Sequence, residues 1–218
     1  MVERVVKGGR PARISREAIV AAASMLVERD GVDALTMRKL ADEVGATPMA
    51  LYHHVRDKSG LLLLLLDHHA QAVEEPVWPD EPREKLIAAA VTMHDVLAAR
   101  PWVAEVLTSD DLLSVSALWL PEAIVDAAVA CGLTERQAVH AYRSIWYYTA
   151  GEIIIRAGAA RRRAAEGAPP YRDQVFAEID AERYPRLASV AGEWVELAGQ
   201  DTYREGLEAL VAGLLPSE

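Results

Sequence analysis

The sequence has a single cysteine, Cys131, among its 218 residues, so an intrachain disulfide is excluded and nothing indicates an oxidising compartment. Its longest strongly apolar run covers residues 60–66, far short of the ~20 residues that cross a bilayer. The charged beginning, MVERVVKGGRPAR, lacks the apolar core of a secretory signal. We therefore expect a cytoplasmic protein that does not contact a membrane.

Alternation of polar and apolar residues, the pattern of a half-buried strand, is also missing, and we find no internal repeat. Apolar residues instead recur every three or four positions along most of the chain, which predicts helices. With 51% hydrophobic and 26% charged residues, the composition is that of a globular protein. We predict an all-α fold, in which an N-terminal three-helix helix-turn-helix domain precedes a larger C-terminal helical bundle.

The net charge of −10 argues against a nucleic-acid partner, but the charge is unevenly distributed. Residues 1–60 hold ten Lys and Arg against eight Asp and Glu, whereas residues 61–218 hold thirteen against twenty-five. The first sixteen residues carry five basic side chains and one acidic side chain. A contact with a polyanion near the N-terminus leaves such an asymmetry, and so does a solvated basic arm without a partner.

Four helices near the N-terminus are marked by residues that cap helices well. These residues are Ser15, Thr36, Thr47 and Asp57. Pro48 stands at the first position of the third helix, where its missing N–H removes no helical hydrogen bond. The second and third helices are joined by the sequence GAT, in which glycine permits a sharp turn. Together they form a predicted helix-turn-helix.

The larger part of the chain follows a linker rich in proline and acidic residues, EEPVWPDEP. Helices are predicted at about residues 83–100, 118–131, 134–156, 185–198 and 202–214. Pro101 ends the first of these, residues 102–116 lack a regular pattern, and a mobile loop is predicted at about residues 159–184. The predicted division is a basic flexible arm, a helix-turn-helix domain and a larger helical domain, at residues 1–14, 15–57 and 58–218.

The third helix has two distinct faces, because successive helical residues turn by 100°. Leu51 and Val55 share one stripe, which we expect to face the first two helices. His53 and Met49 then point away from the domain. His54 lies on the flank, and we expect it to pack back on the domain.

The side chains around the outward face suit a DNA groove. Ala50 is small and points mostly outward, which permits close approach to base edges. Tyr52 and Lys58 can reach phosphates or bases, and Arg38 on the preceding helix can make a bidentate contact to guanine. The positive end of the helix at Thr47 can meet a phosphate.

The segment LTMRKLADEVGATPMALYHHVRDKSGLL resembles the DNA-binding segment of the TetR (tetracycline-repressor) family of bacterial transcription regulators. The shared features are Gly31, the LT pair before MRKLA, the VG pair at the turn, and LYHHV followed by a lysine and a leucine run. By position, the resemblance implies that eight residues contact DNA. They are Thr36, Arg38, Thr47, Met49, Ala50, Tyr52, His53 and Lys58.

The remaining chain is similar in organisation to the tetracycline-repressor branch, through RPWVAEVL, the helix in ACGLTERQAVHAYRSIWYYTAGEII and the loop before the last helices. The resemblance implies a homodimeric repressor that binds a palindromic double-stranded DNA operator and releases it when a small molecule binds. It implies that helices at about residues 134–156 and 202–214 pair with their copies. Small residues would let these helices approach closely: Ala138, Ala141, Ala150, Gly151, Gly206 and Ala209.

Aromatic residues are numerous in the C-terminal part, and with a few others they predict an effector pocket. The candidate ligand-binding residues are Met93, His94, Trp102, Leu107, Trp119, Tyr142 and Trp146. The effector would be a small, mostly apolar or aromatic molecule, and no cofactor is expected. Packing in the helical core is the alternative role for each aromatic side chain.

The leucine run at residues 61–66 covers more than one and a half helical turns, so leucine occurs on every side of this helix. A helix that is apolar all round is enclosed. We expect it to pack on the DNA-binding helices at one side and on the larger domain at the other, and so to couple the two.

Histidines raise the alternative of a metal site. His53 and His54 diverge by 100° on a helix, so they do not share one ion. The histidine pair at residues 68–69, combined with the neighbouring residues His94 and Asp95 further along the chain, would suit a helical metal-dependent hydrolase. Further ligands at the spacings that such a metal site requires are missing. We therefore predict no metal and no enzyme activity. An effector-independent DNA-binding protein, a transcriptional activator and, as the weakest of the three, a helical metal-dependent hydrolase stay open as alternatives.

Overall fold

The computed structural model describes residues 15–109, 112–165 and 171–216. These residues form helices, with no strand among them. The α-helices of the described residues are α1 (Arg16–Asp30), α2 (Met37–Glu43), α3 (Pro48–Tyr52), α4 (Lys58–Gln71), α5 (Pro82–Ala98), α6 (Pro101–Ser109), α7 (Trp119–Ala130), α8 (Glu135–Ala165), α9 (Tyr171–Ala177), α10 (Pro185–Ala188), α11 (Trp194–Leu197) and α12 (Tyr203–Leu214). None of them is long and apolar enough to cross a membrane. The predicted basic arm lies outside the described residues.

The chain divides into two compact units, and neither is a single stretch of sequence. The first unit comprises the residues up to Glu74 together with Glu105–Leu118. The second unit comprises Glu75–Ala104 and Trp119–Glu218. Helix α6 therefore begins in the second unit and ends in the first, and α4 belongs to the first. The domain boundary that the sequence places at residue 57 stays a prediction.

In the first unit, the four predicted capping side chains all accept a hydrogen bond from a backbone N–H in the first turn of a helix, at 2.8–3.3 Å. These caps fix where α1, α2, α3 and α4 begin. The helices enclose a small apolar core, to which they contribute Ile19, Ala23, Leu26, Leu40 and Leu51. Short helices are marginal in isolation, so this core stabilises α2 and α3.

Helix α4 carries the leucine run. Five of its leucines are buried, namely Leu61, Leu62, Leu64, Leu65 and Leu66. Leu63 is 40% exposed, so the prediction that the helix is enclosed on every side is wrong at this position. Six consecutive leucines cover all directions around the axis, and neighbouring elements cover all but one of them. The predicted coupling role of the helix stays a prediction.

Polar contacts tie the segment after α6 to α4 within the first unit. The Ser114 hydroxyl donates a hydrogen bond to Asp67 Oδ1 at 2.5 Å, and the Gln71 amide donates to the Ser116 hydroxyl at 3.3 Å. The hydrogen bond from Ser114 stabilises the carboxylate and lowers the pKa of Asp67 below its ordinary value, with smaller contributions from Ser116.

In the second unit, α5 packs against α7, α8 and α12, and α8 also packs against α7 and α12. Large side chains that fill the core between these helices include Leu86, Ile124, Ile145 and Leu207. Each helix therefore buries one face within the unit, as the helical period predicts.

Several predicted boundaries are wrong. Residues 102–109 are helical rather than irregular, because Pro101 occupies the first turn of α6, where proline is tolerated. Helix α8 continues to Ala165, and α9 forms at Tyr171–Ala177, so much of the predicted loop at 159–184 is helical. Alanine and arginine are strong helix formers and outweigh the glycine at 158. The single helix predicted at 185–198 is instead α10 and α11, separated by turns.

Candidate DNA-binding surface and effector-binding residues

The turn between α2 and α3 has the geometry that the sequence predicts. Gly45 has a φ of 67°, in the left-handed region that favours glycine. The N–H of Ala46 donates to the Ala41 carbonyl at 2.8 Å and so closes the end of α2. The chain then enters α3 at Pro48, with Thr47 as its cap. The two helices are thereby held by local hydrogen bonds on both sides of the turn.

Helix α3 presents one face to the core and the opposite face to solvent. Leu51 is fully buried and Val55 is 7% exposed, whereas Met49 is 70% exposed. His53 is also exposed. The predicted orientation of the helix is therefore confirmed. His54, which we expected to pack back on the domain, is exposed, because the chain leaves regular α-helix after Tyr52.

The other predicted DNA contacts border this outward face. Tyr52 is 48% exposed, Ala50 is half-buried, and Arg38 on α2 is exposed. The hydroxyl oxygens of Thr36 and Thr47 accept hydrogen bonds from the N–H groups of Lys39 and Ala50. Each hydroxyl can still donate its own hydrogen to a phosphate oxygen. Donors and small side chains thus face solvent together on α2 and α3.

Lys58 has an intramolecular role that the sequence did not reveal. Its ammonium donates a hydrogen bond to the carbonyl of Val32 at 3.0 Å and so links the start of α4 to the turn after α1. An ammonium has three donors, so two remain for a phosphate. The predicted phosphate contact stays a prediction, and replacing Lys58 would also remove this internal link.

The predicted effector-binding residues differ in burial, and one of them lies outside the second unit. Met93 and Trp102 are buried in the second unit, at 4% and 6% exposure. Trp119 is half-buried and packs against Trp78, with ring centroids 6.2 Å apart. Leu107 belongs to the first unit.

Tyr142 and Trp146, the two candidates on α8, are half-buried. Burial raises the pKa of the Tyr142 hydroxyl. Their ligand-binding role stays a prediction.

His94 is the candidate with the richest surroundings. Its Nδ1 lies 3.0 Å from Asp95 Oδ1 and its Nε2 lies 3.1 Å from Glu152 Oε2. The other oxygen of Glu152 forms an ion pair with Arg156, one turn further along α8. Arg156 Nη2 donates a hydrogen bond to the carbonyl of Gln200 at 2.7 Å. A chain of polar contacts therefore connects α5, α8 and the segment before α12.

Sequence reasoning missed Glu152 and Arg156 as members of this chain of polar contacts. Their i, i+4 spacing on a helix was a usable signal for the ion pair between them, but nothing local connects either residue to His94. Among the described residues, no group of three His, Cys, Asp or Glu is arranged to hold a metal ion.

Tyr203 lies beside this chain of polar contacts and is 3% exposed. Its ring stacks on His94 and on Tyr148, with centroid distances of 3.9 and 5.3 Å. Its hydroxyl lies 2.7 Å from Thr149 Oγ1 and 3.3 Å from the Ala90 carbonyl oxygen. Burial is the main cause that raises the pKa of Tyr203 to about 12, so the phenol stays neutral and keeps its hydrogen.

The small residues predicted to bring helices of two copies together have different roles. Ala138, Ala141 and Ala150 are buried within the chain itself. A Cβ added at Gly206 would overlap the hydroxyl of Tyr148, so this glycine serves an internal contact. Two remain on the outside: Gly151, which has open space around it, and Ala209, which is exposed.

Two family profiles match the chain. The profile described as "Bacterial regulatory proteins, tetR family" matches residues 19–65, which include α2 and α3. The profile described as "Tetracyclin repressor-like, C-terminal domain" matches residues 76–217. The chain belongs to the TetR family. It is a transcriptional regulator with an N-terminal helix-turn-helix DNA-binding domain, so the predicted family and fold class are confirmed.

The similarity to individual proteins covers nearly the whole of this TetR-family chain. It is 30% identical to an HTH-type transcriptional regulator of Saccharopolyspora erythraea, over 92% of this chain and 84% of that protein. It is also 30% identical to the HTH-type transcriptional repressor DrrR1 of Streptomyces coeruleorubidus, over 94% and 83%. The solved structure of the TetR-family protein ActR from Streptomyces coelicolor, in complex with actinorhodin, shares the fold, with a TM-score of 0.72 and 24% identity over 93% and 97%.

Proposed function

We propose that the chain is a homodimeric, ligand-responsive transcriptional repressor that binds a palindromic DNA operator and leaves it when a small, mostly apolar molecule binds. The observation that carries the proposal is the solvent-exposed face of α3, which is mounted on the buried Leu51 and Val55. A short helix with its anchor in the core and its small and polar side chains outside is what the major groove accepts.

Each side chain around α3 has a proposed role at the operator. Arg38 reads a guanine, because its guanidinium can donate two parallel hydrogen bonds to one base edge. Tyr52 and Lys58 contact phosphates, which position the protein without reading sequence. Met49 and Ala50 pack on base edges, where apolar contact with thymine methyl groups discriminates between base pairs.

Outward apolar side chains on α8 support a homodimer. Val139, Tyr147 and Ile155 are 46%, 59% and 71% exposed in the single chain. Large apolar groups in such positions along one helix are typical of an interface. A twofold dimer would place two α3 helices ~34–36 Å apart, so that they meet successive major grooves of a palindrome.

The effector response is proposed as a population shift. A ligand that binds more tightly to a conformation with the wrong separation of the two α3 helices lowers the affinity for the operator. The repressor DrrR1 among the relatives and the ActR complex with actinorhodin support this proposal.

Selection of bound DNA from a random pool tests the proposal. We expect a palindrome whose half-sites are about one helical turn apart, with an affinity that falls steeply as salt rises because phosphate contacts release counterions. Enrichment of single half-sites, or of no sequence at all, would contradict it. A melting-temperature screen with apolar compounds then tests the effector response, since a ligand that binds the native state raises the melting temperature.

A further inference from the structure

The turn between α3 and α4 carries an arginine, Arg56, that the predicted set of DNA contacts leaves out. Helix α3 ends at Tyr52 and α4 begins at Lys58, so Arg56 lies in the short connection between them. Its side chain is exposed. Arg56 therefore follows the C-terminal end of the helix whose other end is capped by Thr47.

The backbone is fixed on both sides of Arg56. The preceding residue, Val55, is 7% exposed, and its N–H donates to the carbonyl of Leu51 at 3.0 Å. The following residue, Asp57, caps α4 by accepting a hydrogen bond from the N–H of Gly60 at 2.8 Å. The backbone of Arg56 is thus ordered before any partner binds, so binding carries a smaller entropy cost than it would in a mobile loop.

Basic side chains are the minority in the first unit. Its described residues, at 15–74, 105–109 and 112–118, include six Lys and Arg against ten Asp and Glu. On average these residues repel a polyanion. Attraction from this part of the chain therefore depends on cations whose charge no neighbouring carboxylate compensates.

Other cations of this unit are already engaged. Arg29 forms ion pairs with carboxylates on α1 and α2, at 3.0 and 3.6 Å. The ammonium of Lys58 donates to the carbonyl of Val32. Arg56 forms neither an ion pair nor a side-chain hydrogen bond with any described residue, the adjacent Asp57 included. All five N–H donors of its guanidinium are available to a partner.

The length of α3 indicates what Arg56 meets on DNA. A helix of five residues is ~7.5 Å long, whereas the major groove is ~12 Å wide. The N-terminal residues of a recognition helix contact base edges at the floor of the groove. A residue beyond the C-terminal end therefore lies towards the rim of the groove, where the phosphates are.

We propose that Arg56 is a further DNA-contacting residue, which binds a backbone phosphate beyond the C-terminal end of α3. Its guanidinium donates two parallel N–H groups to two oxygens of one phosphate, and so adds affinity without reading sequence. The inference rests on the proposed binding of an operator by a dimer, in which the contact occurs once in each copy.

The salt dependence of DNA binding by the full chain tests this contact. The probes are the palindromic duplex that the unmodified chain enriches from a random pool and a random-sequence duplex of equal length. Arg56→Gln removes the charge at the turn. Arg29→Gln is the matched control, because it makes the same charge change at an exposed arginine of the same unit that is paired with carboxylates.

Each lost phosphate contact lowers the slope of log K against log salt by about 0.9. We expect Arg56→Gln to reduce the slope by about two for a dimer and to weaken binding to both duplexes by at least about tenfold near 0.1 M salt. Arg29→Gln should leave the slope unchanged. Arg56→Lys should restore most of the slope but only part of the affinity, since lysine keeps the charge without the planar fork of donors.

Base preferences and melting temperatures complete the test. Arg56→Gln should melt with the unmodified chain, because an exposed side chain without a partner contributes little to folding. It should also weaken all single-base variants of the palindrome alike. Equal slopes for Arg56→Gln and Arg29→Gln would overturn the inference. A preference changed at one base position would overturn it as well, since Arg56 would then read a base.

The same measurements separate this inference from the proposed function. If the unmodified chain selects a palindrome and Arg56→Gln keeps the full slope, the phosphate contact is refuted and the proposed function stands. If the chain enriches no palindrome, but Arg56→Gln alone lowers the slope on the random-sequence duplex, the contact is supported and the palindromic operator is refuted. Absence of binding to either duplex would overturn both.

Discussion

The polar side chains around α3 in the first unit and those around Tyr203 in the second unit have opposite roles. In the first unit, Arg38 and Tyr52 are exposed around a helix that is anchored by the fully buried Leu51. In the second unit, His94 and Glu152 share a hydrogen bond, and the ring of the buried Tyr203 stacks on His94. The polar groups around α3 are therefore exposed to a partner, whereas those around Tyr203 hold α5, α8 and the start of α12 together.

This difference predicts which changes destabilise the fold and which change binding. Substitutions on the exposed face of α3 should alter DNA affinity at little cost in stability, because surface positions contribute little to folding. Substitutions in the polar interior of the second unit should alter stability first, because a buried group that loses its partner is costly. The five tryptophans of the chain all belong to the second unit, so their fluorescence reports on that unit alone.

The largest expected effect comes from Leu51→Ala. Removing a fully buried leucine costs about 2–5 kcal/mol through lost burial and the cavity left behind. We expect the urea midpoint of the first unit to fall in circular dichroism, operator binding to be lost, and the tryptophan fluorescence transition to stay in place. Met49→Ala is the control, because this side chain is 70% exposed on the same helix.

Equal shifts of the fluorescence and circular dichroism transitions in Leu51→Ala would contradict this separation of the units. A loss of stability in Met49→Ala as large as in Leu51→Ala would contradict the orientation of α3.

Replacing each of two glycines of α12 by alanine should change the free energy of unfolding with opposite signs. Gly206→Ala forces a Cβ into the Tyr148 hydroxyl, and such overpacking costs about 1–3 kcal/mol. Gly213→Ala meets open space, so we expect a gain of about 0.5–1 kcal/mol from reduced backbone entropy in the unfolded chain. Urea unfolding followed by tryptophan fluorescence measures both. Shifts of the same sign would show that the packing of Tyr148 on α12 is described wrongly.

Arg38→Ala should change specificity rather than stability. Loss of a bidentate guanine contact is expected to reduce the preference at one base position about tenfold, which corresponds to ~1.4 kcal/mol. Binding to variant operators measures it, and Tyr52→Phe is the comparison, since losing a phosphate contact weakens all operators alike. If the base preferences of Arg38→Ala match those of the unmodified chain, Arg38 does not read a base.

The smallest expected effect concerns pH. The pKa of Asp67 is lowered chiefly by the Ser114 hydroxyl, so this contact adds stability above the ordinary carboxyl pKa of ~4 and loses it as the pH falls through the lower, folded-state value. We expect acid to weaken the first unit less in Asp67→Asn than in the unmodified chain. Unfolding curves by circular dichroism between pH 6 and 3 measure the difference. Identical acid sensitivity of the two proteins would show that the Asp67 carboxylate does not stabilise the first unit.

Local signals predicted the helix-turn-helix well. The caps Thr36 and Thr47, the glycine at the turn and the i, i+4 stripe of Leu51 and Val55 all involve residues within four positions of one another. Hydrogen bonds and faces at that distance are fixed by helix geometry alone. For the same reason the sequence failed at Lys58, whose partner Val32 is twenty-six residues away.

The sequence by itself determined the family, the all-α fold and the face that α3 presents, because periodicity and capping act within a few residues. The tertiary structure decided the rest. His94 meets Glu152 across 58 residues, and Tyr203 meets Thr149 across 54. Gly206, which the sequence assigned to a contact between copies, is small because Tyr148 occupies its space. Such roles arise only when helices dock, since docking sets which side chains from distant segments share a buried volume.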